Sequence, residues 1–251
     1  MFDTLKSVAA YYNGINSLNA AEIHQQIYSK FGESAKTRQP ALAAAFQATQ
    51  GFGELPFAWN WYLTVADAAS SRSAPIKFLE VGVYKGRSMA LVQLAADLLG
   101  KKVEIWGVTP LSATGDKYSG YDDTDYLAAI RDTFRKARVT QDNFAIINGL
   151  SQTPTVIAEA AKNAPYDILY IDGCHDYEAV CADIGNYVPM VRPGGVLVMD
   201  DASLYLDAPA GHFKGHPDVG RAIRDCLDTR EDMEHLFAVG HNRVWRRQNN
   251  T

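Results

Sequence analysis

The feature that most constrains this chain is a change of pattern at residue 76. From there to residue 227, short apolar runs alternate with amphipathic stretches. Apolar runs at 76–81, 103–108, 144–147, 167–171 and 195–199 read as strands, and the stretches at 88–99, 126–137, 153–161, 177–188 and 217–227 read as helices. Repeated strand–helix–strand units imply a mostly parallel sheet with helices on both faces. The segments 235–239 and 242–245 close the pattern as a hairpin around Gly240-His241, giving a seven-stranded, doubly wound α/β fold.

Before residue 76 no strand signal is present. Residues 18–31 carry apolar side chains at helical spacing, 40–48 are Ala-rich, and 57–69 are aromatic and apolar. Gly51 to Pro56 breaks these helices, and 70–75 reads as a linker. The expected division is an amino-terminal helical extension or lid, 1–70, and a ligand-binding domain, 71–251. The apolar extension leaves two uses open: covering the cleft, or burying a partner copy in a homo-oligomer.

Composition excludes several classes. A net charge of −5 with scattered Lys and Arg points to neither nucleic acid nor an anionic membrane. No apolar stretch is long enough to span a bilayer, and the first six residues lack the layout of a signal peptide. The three cysteines, Cys174, Cys181 and Cys226, form no zinc-type pair. Their odd, sparse number argues against a disulfide scaffold and fits a reducing cytoplasm.

Acidic residues sit where the strands end. Asp172 follows the fourth strand and Asp200-Asp201 the fifth, with His175 close behind the first. In open α/β sheets ligands bind at the carboxyl ends of strands, so these groups converge on one cleft. Buried carboxylates need a positive or hydrogen-bonding partner. Mg²⁺ prefers hard oxygen ligands, and a histidine titrating near neutrality can accept a proton beside it. The simpler alternative is that Asp172 and Asp200 cap the following helices, with His175 as a loop hydrogen-bonding group. Cys174 reads as a packed small residue, not a nucleophile.

The turn after the first strand runs Glu80-Val81-Gly82-Val83-Tyr84-Lys85-Gly86-Arg87-Ser88. Gly82 and Gly86 let backbone approach a ligand, and Glu80 on a buried strand calls for a partner. The spacing is not the GxGxxG dinucleotide fingerprint. Taken in order, Glu-x-Gly-x-x-x-Gly, then Ile171-Asp172-Gly173-x-His175, then Arg192-Pro193-Gly194-Gly195 resembles the class I S-adenosylmethionine-dependent methyltransferases. Within these it is similar to the metal-dependent O-methyltransferases of antibiotic sugars, of the macrocin and mycinamicin type. The resemblance covers 76 to about 202 and implies a Rossmann-like fold.

By that resemblance, Glu80, Gly82, Gly86 and Ser88 cradle the methionine part of S-adenosylmethionine, and Asn148 to Ser151, with Gly149 and Ser151 among them, flank the adenine. Asp172 takes part on both the cofactor and the metal side. Asp172, Asp200 and Asp201 hold Mg²⁺ or another divalent cation, and His175 is the base. The acid that usually ends the second strand is absent. Thr109 stands there, with Asp116 and Asp122 as substitutes in the following loop.

The loops 111–125 and 202–217 carry Tyr118, Tyr121, Asp122, Asp123, Tyr205, His212, Lys214 and His216. They read either as acceptor-binding lids or as solvated loops. His216 precedes Pro217 and Asp218 at a helix start, and Pro217 argues against His212 and His216 pairing on a helix. The expected activity is Mg-assisted O-methylation of a small hydroxylated acceptor such as a glycosylated metabolite. A metal-independent methyltransferase using His175, or a non-catalytic binding protein on the same fold, remain as alternatives.

Overall fold

The computed structural model describes residues 2–71, 74–140, 143–206 and 213–249. His212 and part of the 70–75 linker lie outside them. Among the described residues no helix is long and apolar enough to cross a membrane.

Four helices come first: α1 (Leu5–Tyr12), α2 (Ala20–Thr37), α3 (Pro40–Ala48) and α4 (Leu55–Ser70). Then follow β1 (Ile76–Val81), α5 (Arg87–Leu98), β2 (Val103–Thr109), α6 (Tyr126–Ala137), β3 (Ala145–Asn148), α7 (Pro154–Ala161), β4 (Tyr166–Ile171), α8 (Tyr177–Tyr187), β5 (Val191–Met199), α9 (Pro217–Ala222), β6 (Met233–Val239) and β7 (Asn242–Arg247). The sheet order is β3-β2-β1-β4-β5-β7-β6. Strands β1 to β5 pair in parallel, and β7 pairs antiparallel with both β5 and β6. The seven strands and the mostly parallel sheet agree with the sequence pattern.

The strands are apolar throughout because both faces are covered, and successive side chains alternate between them. Phe78, Ile168, Tyr170, Val196 and Val198 enter one core with α1 to α6. Leu79, Val81, Leu169, Ile171, Leu197 and Met199 enter the other, with α7 to α9. The amino-terminal helices therefore share a core with the sheet: Trp61 of α4 meets Tyr170 edge-on at 4.9 Å. Arg87, opening α5, donates to the Thr49 and Phe52 carbonyls and so ties the 49–53 loop to the sheet domain.

The Arg192-Pro193-Gly194-Gly195 turn has a local cause. Arg192 Nε lies 2.5 Å from Asp167 Oδ1, a carboxylate fully buried in β4. A Cβ on Gly195 would sit 2.7 Å from Val191 and 2.9 Å from the Arg192 carbonyl, so only glycine lets the chain pass. Strand β5 starts at Val191, earlier than residue 195, and its pairing with β4 slips between Tyr166 and Ile168.

The cysteine expectation needs correction. Cys181 and Cys226 form a disulfide, their Cα atoms 5.8 Å apart, which links α8 to the wide turn continuing α9. Their separation of 45 residues hides this packing from the sequence. With a disulfide present, the cysteine count no longer argues for a reducing compartment. Cys174 is free and half-buried, and burial pushes its thiol pKa up.

Candidate active site

Strands β1 and β4 are neighbours although their connections run to opposite sides, which opens a crevice beyond their carboxyl ends. Here the two following loops nearly touch. Gly82 has φ +94°, and a Cβ on it would lie 2.0 Å from the Asp172 carbonyl oxygen. Above this contact lies a cavity of about 550 Å³, lined by Gly82, Thr109, Gly149, Ser151, Asp172 and His175 among others. That volume is in the range of small-molecule sites. Glu80, Gly86 and Ser88 instead line a narrow pocket of about 50 Å³ that shares Asp172 and Asp200 with the larger one.

On the inner side the acids are buried among themselves. Glu80 accepts a 2.5 Å hydrogen bond from the Ser88 hydroxyl, and its Oε2 has no hydrogen-bond partner among the described residues. Burial, only partly offset by Ser88 and reinforced by Asp200, pushes its pKa up to about 8. Asp172 accepts from the Tyr170 hydroxyl at 3.0 Å. Its pKa is driven well up, first by burial and then by the charges of Asp200, Asp201 and Glu80. Asp200 is raised as well, chiefly by burial, and its buried Oδ1 has no hydrogen-bond partner among the described residues. Neither Asp172 nor Asp200 caps a helix, since the residues preceding α8 and α9 are Asp176 and His216. The simpler capping alternative is thereby set aside.

On the outer side the acids face imidazoles. His175 is clamped at both ring nitrogens, with Nδ1 2.8 Å from Asp116 Oδ2 and Nε2 3.1 Å from Asp201 Oδ2. Burial pulls its pKa down, but Asp201 and Asp116 outweigh this and raise it to about 8. For Asp116, burial acts upward, yet the backbone N–H groups of His175 and Tyr118 and the His175 ring hold its pKa below the usual value. Asp201 adopts φ +52°, a region that Asp tolerates better than most residues. Gly215 allows its close approach, because a Cβ there would meet the Asp201 carbonyl at 1.9 Å. That fold-back brings His216 Nε2 to 3.3 Å from Asp201 Oδ2, with Tyr118 stacked on the His216 ring at 4.3 Å.

The expected residues are thus gathered around one cavity system, with some differences of role. Asp200 and Asp201 have ligand atoms within 4.8 Å of His241, and Asp201 also groups with His175 and His216. Among the described residues Asp172 joins neither group and lies inward, hydrogen-bonded to Asp200. Thr109 donates its hydroxyl to the Val83 carbonyl at 3.0 Å. Asp116 is engaged with His175, and Asp122 is exposed. Ser151 accepts from Gln152 Nε2 at 2.7 Å, and Gln152 in turn donates to buried Asp183 at 2.9 Å.

Sequence reasoning missed Asp116 as the partner of His175, and it missed His216 and His241 beside Asp201. The first pair is separated by 59 residues, which no local spacing reveals. His241 carried one usable signal, its place in the turn of a hairpin that must run antiparallel beside the fifth strand.

The donor set fits a divalent cation. Crowded carboxylates with raised pKa values and an unpartnered buried oxygen are relieved by positive charge. The glycine-floored crevice likewise fits a ligand that needs close backbone approach.

Residues 79–202 match a family described as a methyltransferase domain. An uncharacterized mimivirus protein of Acanthamoeba polyphaga mimivirus, R132, is 27% identical over 137 residues, which is 53% of this chain. The match spans 55% of that relative's length. Among solved structures the fold is similar to cofactor-bound Rv0187 from MTB, with TM-score 0.58, 18% identity, and coverage of 86% of this chain and 94% of that one. It is also similar to apo CalS11, a TDP-rhamnose 3'-O-methyltransferase, with TM-score 0.52, 17% identity and coverage of 92% and 96%. An O-methyltransferase from Bacillus cereus in complex with SAH gives TM-score 0.52, 13% identity and coverage of 92% and 99%. A methyltransferase domain by this match thus spans residues 79–202, and the strand order and the glycine-floored crevice agree with it.

Proposed function

We propose that the protein is a metal-assisted O-methyltransferase acting on a hydroxyl of a small glycosylated or polyhydroxylated metabolite. The observation that carries this reading is the meeting of Asp200, Asp201 and His175 at one cavity wall, with Gly82 and Asp172 beside them. Glu80, Gly82, Gly86 and Ser88 would hold the methionine part of S-adenosylmethionine, and Gly149 and Ser151 the adenine. Asp200 and Asp201 would hold the cation, with Asp172 behind them. When bound, the cofactor supplies an electrophilic methyl group and the cation supplies Lewis-acid polarisation of the acceptor hydroxyl.

The chain's own residues do the rest. Asp116 accepts the Nδ1 hydrogen of His175, which leaves Nε2 as the nitrogen that takes the hydroxyl proton. With S-adenosylmethionine bound, the deprotonated acceptor oxygen would take the methyl group as the carbon–sulfur bond breaks, leaving S-adenosylhomocysteine. Tyr118 and His216, stacked on each other at the cavity wall, offer a flat polar surface suited to a sugar ring. The cavity walls hold the two reacting atoms close, a large part of the expected rate gain.

The test is turnover of a panel of hydroxylated and glycosylated acceptors, with and without EDTA. Acceptor-dependent S-adenosylhomocysteine formation that stops in EDTA and returns with a divalent ion supports the reading. Full activity in EDTA removes the metal. One observation favours a second reading, a metal-independent methyltransferase: Asp116 holds His175 Nδ1 at 2.8 Å, a pairing that suits a general base without a metal.

A further inference from the structure

We propose that His241 is a direct metal ligand, so that Asp200, Asp201 and His241 form a mixed carboxylate–imidazole site that takes a borderline transition ion such as Mn²⁺, Co²⁺ or Zn²⁺ in preference to Mg²⁺. The inference rests on the metal-assisted reading above and names the ligand set and ion class of that site.

The topology puts His241 there. Strand β7 runs antiparallel to β5 with Met199 opposite Arg243, so the same register continued sets the β6–β7 turn opposite Asp201. The backbone confirms it, since the Ala202 N–H donates to the His241 carbonyl at 2.7 Å. The turn is held from below by α4, where the Phe57 ring meets the His241 ring edge-on at 4.7 Å. Phe213 packs on His241 at 5.2 Å. The imidazole is therefore fixed in an aromatic slot.

Its polar atoms are poorly served. The His241 side chain is 8% exposed, and Nδ1 has no hydrogen-bond partner among the described residues. Nε2 faces Asp200 Oδ1 at 3.5 Å and Asp201 Oδ1 at 4.0 Å, long for hydrogen bonds. Asp200 Oδ1 likewise has no hydrogen-bond partner among the described residues. Two donors each about 2.1 Å from one ion, at a tetrahedral or wider angle, stand roughly 3.4 Å or more apart. The spacing that is too wide for a hydrogen bond is thus the spacing an ion needs. Burying the Asp200 oxygen without a hydrogen bond is costly, and a cation held between it and His241 Nε2 removes that cost.

The other group, His175, Asp201 and His216, differs in this respect. Its contacts are 3.1 and 3.3 Å, and His175 Nδ1 is already bonded to Asp116. Those atoms partner one another without an ion. An imidazole ligand shifts preference from Mg²⁺, which favours all-oxygen sites, toward first-row transition ions.

The experiment uses the full chain, freed of metal and then loaded with Mn²⁺ for pulsed electron paramagnetic resonance and with Co²⁺ for visible absorption. Mg²⁺ is measured by competition. The expected result is a directly bound nitrogen in the Mn²⁺ spectrum, and Co²⁺ binding about tenfold or more tighter than Mg²⁺. His241→Ala and His241→Gln should remove the nitrogen signal and weaken Co²⁺ about tenfold or more, while His216→Ala keeps the signal. The wild-type spectrum alone decides the ligand type should a variant fail to fold. A wild-type spectrum with no bound nitrogen, a signal surviving in both His241 variants, or one lost only in His216→Ala overturns the proposal. In each of those cases the metal-assisted reading stands on another ligand set. Binding of no cation, together with full turnover in EDTA, overturns both.

Discussion

The two sides of the carboxylate cluster hold the same residue types in opposite states. Glu80 and Asp172, on the inner side, sit among apolar strands and hydroxyls, and burial pushes both toward the neutral form. Asp116, on the outer side, meets backbone N–H groups and His175, and stays ionised as His175 rises to about 8. The difference is one of partners. A carboxylate buried with only a neutral hydroxyl donor gives up its charge, and one that is hydrogen-bonded to backbone N–H groups and an imidazole keeps it. The inner acids fit a role in cradling, and the outer groups a role in moving a proton. The inner pair lies at the switch point between β1 and β4, and the outer groups come from loops that fold back over it.

The comparison breaks most readily on the outer side. Asp201→Asn, which keeps a side chain tolerant of positive φ, and His175→Ala should each lower kcat by about 10² to 10⁴-fold. S-adenosylmethionine affinity by calorimetry should stay near the wild-type value. Retained turnover in both variants would assign the proton transfer elsewhere.

The floor joining the two sides comes next. Gly82→Ala puts a Cβ 2.0 Å from the Asp172 carbonyl at φ +94°. The strain costs about 1–3 kcal/mol or more in urea unfolding, and cofactor binding should fall with it. An unchanged midpoint and affinity would mean that the β1 and β4 loops move apart freely.

Asp116→Asn sharpens the outer side. In the metal-free protein, the His175 pKa followed by NMR should drop from about 8 toward the ordinary histidine value. The sign for stability follows. A histidine raised in the fold stabilises fully below its unfolded value near 6.5, and that contribution fades as pH rises through 8. The variant should therefore lose stability mainly on the acid side of that window. A pKa unmoved in Asp116→Asn would leave Asp201 as the sole cause.

The smallest effect belongs to the inner side. With a pKa near 8, Glu80 is mostly neutral in the fold at pH 7, so Glu80→Gln, which keeps a neutral side chain, should not lower the unfolding midpoint there and can raise it. A carboxyl raised in the fold stabilises below its unfolded value near 4.5 and loses that contribution as pH rises through 8. The wild type should then weaken relative to Glu80→Gln as pH rises from 4.5 to about 8, and level off above that. A large drop on substitution at pH 7 would show that the ionised form is the one the fold uses.

The sheet was legible because five apolar runs with intervening amphipathic stretches allow few other packings. The carboxyl-end acids were legible because acids at the ends of buried strands have few simple explanations. The partners of those acids were not. Asp116 reaches His175 across 59 residues, from a loop whose sequence leaves a binding lid and a solvated loop equally open. Cys181 and Cys226 meet across 45 residues for a similar reason, the packing of α8 against the turn after α9. The amino-terminal helices were visible as helices, but their common core with the sheet depended on which faces met.

What the sequence determined by itself was local and periodic: the strands, the helices, the glycines that admit close approach, and the acids at strand ends. These follow from backbone sterics and from the alternation of buried and exposed faces, which each segment carries alone. What the tertiary structure decided was which acid meets which base. Charge state depends on distance and burial across the whole fold, and residues far apart in the chain set both.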